Sequence, residues 1–78
     1  MTDAKQLQIL RHSLGLRDDG KGREYRNHFV TGEGSDDYPS CVALVDAGLM
    51  TRCKGNALTG GDDVFYATDA GKDAARAA

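Results

Sequence analysis

The sequence predicts one small α+β domain with three helices and a two- or three-stranded antiparallel sheet. Its 78 residues are the length of a single domain. Residues 4–14 and 39–47 carry apolar side chains at helical spacing, and a glycine follows each segment. Residues 49–54 and 64–68 are rich in strand-forming side chains and flank a glycine-rich linker. Together these features predict a helix, a strand–loop–strand unit and further helices around it.

The first helix is predicted over Ala4–Leu14. Thr2 or Asp3 precedes it and is expected to cap it, because a side-chain oxygen there accepts a hydrogen bond from a free backbone N–H group. Gly15 can adopt the left-handed conformation that ends many helices, and Leu16 is then expected to fold back on the last turn.

The segment between the first two helices is predicted to be a polar loop followed by a strand. Residues 17–22 (RDDGKG) supply the backbone conformations that a turn needs. Residues 24–30 (EYRNHFV) alternate, with Tyr25, Asn27 and Phe29 on one side. This period of two predicts a short strand or an extended segment, and a strand here would be the third in the sheet.

The second helix is predicted over Pro39–Ala47. Proline lacks a backbone N–H group and disfavours helical angles at Tyr38, so Pro39 is expected to be the first helical residue. Ser35 or Asp37 is expected to cap the helix, and Gly48 to end it.

The last part of the chain is predicted to form two strands and a helix. The strands are expected over Leu49–Lys54 and Val64–Thr68, joined by Gly55–Asp63, and the helix over Ala70–Ala77 with Thr68 or Asp69 as its cap. The predicted core consists of Leu7, Leu10, Leu14, Leu16, Phe29, Val42, Leu44, Val45, Leu49, Val64 and Tyr66.

Two motifs in the second half carry a resemblance to a known fold. A helix running into LVDAGLM, a strand–loop–strand unit and then YATDAGKDAARA resembles the second half of winged-helix domains of the MarR and PadR type. Leu44, Gly48 and Leu49 match the corner after the recognition helix, and TDAG at 68–71 matches the start of the final helix. The resemblance implies a small winged-helix-like domain. The whole chain is also similar to small phage and prophage proteins through YRNHFVTG, LVDAGLM and LTGGDDVFYATDAG, which implies an accessory role.

Residues 31–50 contain four acidic residues and no Lys or Arg. A helix that reads DNA presents Arg, Lys, Asn or Gln to the base edges, and this segment has none of them. The first hypothesis is therefore a non-enzymatic module that binds a protein partner through an acidic helix face, formed by Glu33, Asp36, Asp37, Tyr38 and Asp46. The other interpretation is that the acids only stabilise the positive end of the helix dipole.

Basic and aromatic residues are interleaved in the preceding segment, which provides the alternative hypothesis. Such a segment can hold phosphates and stack bases. The candidate nucleic-acid contacts are Arg17, Lys21, Arg23, Arg26, Asn27 and His28, with Arg52 and Lys54 on the strand–loop–strand unit. The competing interpretation is a solvated strand whose arginines pair with Asp18, Asp19 or Glu24.

The sequence carries no catalytic signature, so we expect no enzymatic activity, no cofactor and no metal site. His12, His28, Cys41 and Cys53 lack the close pairs that are typical of structural zinc sites. The glycine-rich GNALTGG resembles half of a phosphate loop but is followed by Asp62 and Asp63 rather than by Lys and Ser or Thr. A turn is the better interpretation.

No apolar run approaches the roughly 20 residues that a membrane-spanning helix needs. The first residues do not read as a signal peptide, and the two cysteines do not form a CxxC pair. We therefore expect a cytoplasmic protein with reduced thiols and no membrane contact. The sequence has no Trp, three Tyr and two Phe, so its core is thin, and a protein partner or a homodimer would add stability.

Overall fold

A computed structural model describes residues 3–55 and 60–77. These residues form α1 (Ala4–Leu14), β1 (Phe29–Thr31), α2 (Tyr38–Asp46), β2 (Met50–Cys53), β3 (Asp63–Ala67) and α3 (Asp69–Arg76). The strands form one antiparallel sheet in the order β1-β3-β2. The predicted α+β class with three helices and an antiparallel sheet is confirmed.

The boundaries of α1 follow from its local sequence, as predicted. The Asp3 carboxylate accepts the Gln6 N–H at 2.7 Å, and the Gln6 side chain accepts the Asp3 N–H at 3.2 Å, which is a reciprocal capping box. Thr2, the other predicted cap, lies outside the described residues. Gly15 ends the helix with φ +80°, and Leu16 folds back and is buried.

Of the segment 24–30, predicted to be a short strand or extended, only Phe29 and Val30 belong to a strand, which is β1. The Asn27 side chain occupies the position of a strand residue: its Oδ1 accepts the Ala67 N–H at 2.7 Å, and its Nδ2 donates to the Ala67 carbonyl at 3.1 Å. The His28 N–H donates to the Ser13 carbonyl of α1 at 3.0 Å. The backbone before Phe29 therefore follows α1 instead of extending the sheet.

Helix α2 starts one residue earlier than predicted, and its cap differs. Pro39 lies in the first turn, where its missing N–H is not needed. Asp37 is the N-cap residue, but its carboxylate makes no capping bond and pairs instead with the Lys5 ammonium at 2.9 Å. The Ser35 hydroxyl accepts the Asp37 N–H at 3.3 Å, outside the helix proper. The prediction of side-chain capping by Asp37 is therefore wrong.

Thr68 joins α3 to the corner between α2 and β2. Its hydroxyl caps α3 by accepting the Gly71 N–H at 3.1 Å and also donates to the Gly48 carbonyl at 2.8 Å. The Thr68 N–H donates to the Leu49 carbonyl at 3.0 Å. Strands β2 and β3 differ from their predicted bounds by about one residue, and residues 56–59 of the predicted linker lie outside the described residues.

All three helices pack on one face of the sheet. Inward-facing residues Asp63, Phe65 and Ala67 alternate along β3, and the buried apolar core comprises Ile9, Leu10, Leu14, Leu16, Cys41, Leu44, Met50, Phe65, Ala67 and Ala75. Tyr66 was predicted to be in the core and is 40% exposed, because the inward-facing residues of β3 are Asp63, Phe65 and Ala67, and Tyr66 therefore points to the opposite face. The other predicted core residues are buried or partly buried.

Arginines fix the long segment between α1 and β1. Arg11 on α1 donates to the carbonyls of Ala75 and Ala77 at 2.8 Å each and also to that of Asp18. Arg76 on α3 donates to the Glu24 carboxylate at 3.0 Å and to the Gly22 carbonyl at 3.2 Å. No sequence pattern predicts these contacts, which link the loop to two helices.

Gly71 is buried in α3 where the helix crosses the start of β2. A Cβ atom at this position would overlap the Leu49 carbonyl oxygen. Glycine usually destabilises a helix interior by about 1 kcal/mol relative to alanine, but here we expect Gly71→Ala to reduce the free energy of unfolding by about 2 kcal/mol through overpacking. Urea unfolding followed by circular dichroism measures the change.

The matched control is Ala70→Gly at the exposed neighbouring position, which should cost about 1 kcal/mol from helix propensity alone. An increase in stability for Gly71→Ala would contradict the close contact between α3 and the start of β2.

Candidate protein-interaction site

The carboxylates around the start of α2 form what we call the acidic surface, defined by Glu33, Asp36 and Asp37. Glu33 and Asp36 are exposed, and Asp37 is partly buried against α1. The hydrogen bond from Lys5 to Asp37 raises the pKa of the Lys5 ammonium, and the Asp36 carboxylate adds to this effect. Both carboxylates therefore stabilise the positive charge of Lys5.

The two other residues predicted for the acidic helix face lie apart from this surface. Asp46 is exposed at the opposite end of α2, about 12 Å along the helix axis from Tyr38. Tyr38 is partly buried, and its ring packs edge-on against Phe65 with the ring centroids 6.0 Å apart. The five predicted residues thus do not form one continuous face.

Asp63 is the centre of a polar cluster that connects α2 to the sheet. Its carboxylate accepts the Gly55 N–H at 2.8 Å and the Tyr38 hydroxyl at 2.9 Å, and it pairs with Arg52 at 3.3 Å. The Gly55 and Tyr38 hydrogen bonds lower the pKa of the Asp63 carboxyl. The hydrogen bond to Asp63 raises the pKa of the Tyr38 hydroxyl. We therefore infer that this cluster fixes the start of α2 on the sheet.

The sequence analysis missed the role of Asp63, although the sequence contains a signal for it. In DVFYA the alternation places Asp63 on the same side as Phe65 and Ala67, which are buried. A carboxylate that faces the interior needs hydrogen-bond donors. The donors come from Tyr38 and Arg52, which are distant in the sequence, so only the structure identifies them.

Three of the predicted nucleic-acid contacts have internal partners. The Arg26 guanidinium donates to the His12 carbonyl at the C-terminal end of α1, where the helix dipole favours a positive charge. The Asn27 amide pairs with Ala67, and Arg52 pairs with Asp63. These side chains contribute to the fold whether or not they contact a ligand.

The remaining predicted contacts are exposed but fall into separate groups. Arg17 lies 3.7 Å from Asp19, and Lys21, Arg23, His28 and Lys54 are exposed. The Asn27 side chain meets β3 at its last residue, whereas Lys54 follows Cys53, which pairs near the first residues of β3. The loop with residues 17–28, which we call the basic loop, and Lys54 therefore lie at opposite ends of β3.

The histidines and cysteines weighed as zinc ligands are also dispersed. Cys41 is buried in the core, and this burial raises the pKa of its thiol to about 11. Cys53 is an exposed free thiol on β2, and His12 packs edge-on against Phe29 with the ring centroids 5.8 Å apart. Within residues 3–55 and 60–77, no group of three or more His, Cys, Asp or Glu side chains is arranged to hold a metal ion.

Comparisons with protein-family models, curated proteins and solved structures found no match to this chain. In the part of the chain that the structure describes, no helix has the length and apolar character needed to cross a membrane. The geometry and charge of the described surfaces are therefore the basis for assigning a function.

The Asp63 cluster predicts a specific acid sensitivity. Because its folded-state pKa is lowered, the Asp63 carboxylate stabilises the fold at neutral pH, and this contribution is lost as the pH falls below about 4. The Asp63→Asn variant lacks this stabilisation at every pH, since one amide oxygen cannot accept the hydrogen bonds that two charged carboxylate oxygens accept. The difference in urea midpoint between the two proteins should be large at pH 7 and small near pH 2.5.

Tyr38→Phe is the control because it removes only one donor to Asp63, so its midpoint should lie between those of the other two proteins at pH 7. A difference between wild type and Asp63→Asn that is independent of pH would contradict the role of the ionised carboxylate.

Proposed function

We propose that this chain is a non-enzymatic, winged-helix-like binding module of phage or prophage type, which contacts a protein partner through the acidic surface. One observation carries the proposal: within residues 3–55 and 60–77, Glu33 and Asp36 are exposed and make no ion pair. No Lys or Arg occurs between residues 31 and 50 to neutralise them. A basic protein surface is the complementary partner.

Apolar surface next to the acids supports a protein partner. Pro39 is exposed on α2, and Val42 and Ala43 are partly exposed further along the helix. Protein interfaces commonly combine a contact centre of this kind with polar residues at the rim. The acids would steer the approach of a basic partner, and the apolar residues would supply contact area.

Two features support the winged-helix-like part of the proposal. The elements follow the order α1, β1, α2, β2, β3, α3, and the two strands after α2 form a hairpin-like pair before the last helix. The domain departs from the winged-helix pattern in one respect: the segment from Gly15 to Asp37 contains a strand and no helix, whereas winged-helix domains have a second helix before the recognition helix. A cytoplasmic setting, in which Cys41 and Cys53 stay reduced, is part of the proposal.

A capture experiment with matched charge variants tests this function. The tagged protein is incubated with nuclease-treated bacterial lysate, and retained proteins are quantified by mass spectrometry. We expect a partner that wild type retains and whose retained amount falls about tenfold with the double variant Glu33→Gln/Asp36→Asn, since both substitutions remove charge from the contact.

The control is Asp69→Asn/Asp73→Asn, which removes the same charge from exposed positions of α3. Equal losses in the two double variants, or a partner that binds the Glu33/Asp36 variant as well as wild type, would contradict the role of the acidic surface.

A second candidate function is nucleic-acid binding by the basic loop, and one observation favours it. Tyr25 is 70% exposed, and the Arg26 guanidinium lies 5.6 Å from the centre of its ring. Lys21 and Arg23 are exposed just before it in the chain. An exposed aromatic ring with cations around it can stack a base and hold the adjacent phosphates.

Fluorescence anisotropy with labelled single-stranded and duplex DNA tests this candidate at about 50 and 150 mM salt. If the loop binds, affinity falls as salt rises, Lys21→Ala/Arg23→Ala removes binding, and Lys54→Ala at the far end of β3 leaves it unchanged. Absence of binding at low salt, or equal effects of the two variants, would exclude the loop as the site.

A further inference from the structure

A cleft of about 320 Å³ lies beside the acidic surface, between α1, the loop after it, β1 and the start of α2. Its apolar side consists of Ile9, Leu16 and Phe29, of which Ile9 and Leu16 are buried and Phe29 is partly buried. Gln8, His12, Asp18 and Asp37 complete the lining. The volume is at the lower end of the range for ligand pockets, so it suits one or two side chains rather than a large molecule.

The charges around the cleft favour a cation. Two of its lining residues, Asp18 and Asp37, carry carboxylates, and no Lys or Arg of residues 3–55 and 60–77 lines it. Within the described residues the Asp18 carboxylate makes no ion pair, and only its backbone carbonyl accepts a hydrogen bond, from Arg11. An anionic ligand such as a nucleic-acid phosphate would be repelled by these groups.

Lys5 shows that the rim can hold an ammonium group. Its Nζ lies 2.9 Å from the Asp37 carboxylate, and both side chains are substantially exposed, at 45% and 39%. An exposed pair of this kind contributes little net stability, so a cation from a partner can replace it at small cost. An arginine would be favoured over a lysine, because a guanidinium can bind a carboxylate through two hydrogen bonds.

We infer that this cleft binds a short segment of the protein partner that carries an Arg or Lys next to a large aliphatic side chain. The aliphatic group packs on Ile9, Leu16 and Phe29, and the cation pairs with Asp18 or Asp37. This inference rests on the proposed function, because Asp37 belongs to both the cleft and the acidic surface, and it specifies the chemistry of the partner.

The carboxylates and the apolar side of the cleft each require a different feature of the bound segment. A purely basic segment would satisfy the carboxylates but leave the apolar side in contact with water, and a purely apolar segment would leave Asp18 without a counter-charge. Only a segment with both features satisfies the whole lining.

Nuclear magnetic resonance of the ¹⁵N-labelled full chain tests the inference with defined peptides. The probe is acetyl-Gly-Leu-Arg-Leu-Gly-amide, and the two control peptides replace Arg by Glu or both Leu by Ser. We expect saturable shifts of the amide signals of Gln8, His12, Phe29 and Asp37 with the probe and much weaker shifts with either control peptide.

Variants of the protein locate the binding site. Asp18→Asn should weaken binding of the probe by about fivefold, and Asp46→Asn, which removes the same charge at the far end of α2, should leave it unchanged. Asp18 is the better test than Asp37, because among the described residues its carboxylate makes no ion pair, whereas the Asp37 carboxylate pairs with Lys5 at the start of α2. The dispersion of the spectrum confirms that each variant is folded.

Absence of saturable shifts, equal binding of the Glu-containing peptide, or shifts confined to the outward sheet residues Val30 and Tyr66 would overturn the inference. Failure of the probe together with capture that depends on Glu33 and Asp36 would reject the cleft and retain the proposed function. Binding of the probe without such capture would support the cleft and reject the acidic surface as the main contact.

Discussion

The position of α2 depends on the carboxylate of Asp63. Tyr38, the first residue of α2, donates to it from the helix, Gly55 donates to it from the end of β2, and Arg52 neutralises it. A carboxylate that faces the interior is unfavourable without such partners. The hydrogen bonds to Asp63 therefore hold α2, β2 and β3 in one relative arrangement. The acidic surface and the cleft both lie at this end of α2, and their geometry depends on the same cluster.

Arginine hydrogen bonds compensate for the small apolar core. Phe65 is the only aromatic residue that is completely buried among the described residues, and much of the remaining core is Leu and Ala. Arg11, Arg26 and Arg76 donate to backbone carbonyls at helix ends and in the loop after α1. These cations are engaged by carbonyls of the fold, and the segment 31–50 around α2 carries acids and no Lys or Arg.

Local signals made α1 and α3 predictable almost to the residue. Asp3 and Gln6 define the start of α1, Gly15 defines its end, and Thr68 defines the start of α3. The errors concern distant pairs. Asn27 takes the place of a strand residue through Ala67, which is 40 positions away. In β3 the prediction placed Val64 and Tyr66 in the core, whereas the structure turns Asp63, Phe65 and Ala67 inward.

The candidate site was predictable as a group of acids but not as a geometry. The negative charge of residues 31–50 is evident from the sequence. The sequence does not show that Lys5 binds Asp37 or that Asp46 lies a helix length from Asp36. The cleft is formed by four separate parts of the chain, so no periodic pattern identifies it. Long-range packing determines both features.

The Asn27 amide also has a consequence for how separate molecules of this protein meet. Exposed sheet edges are templates on which another chain can add a strand. With Asn27 bound to Ala67, the edge strand β1 is limited to three residues, and the backbone before it is turned toward α1. This edge is too short to serve as a good template, so a single side chain protects the protein against strand-by-strand polymerisation at β1.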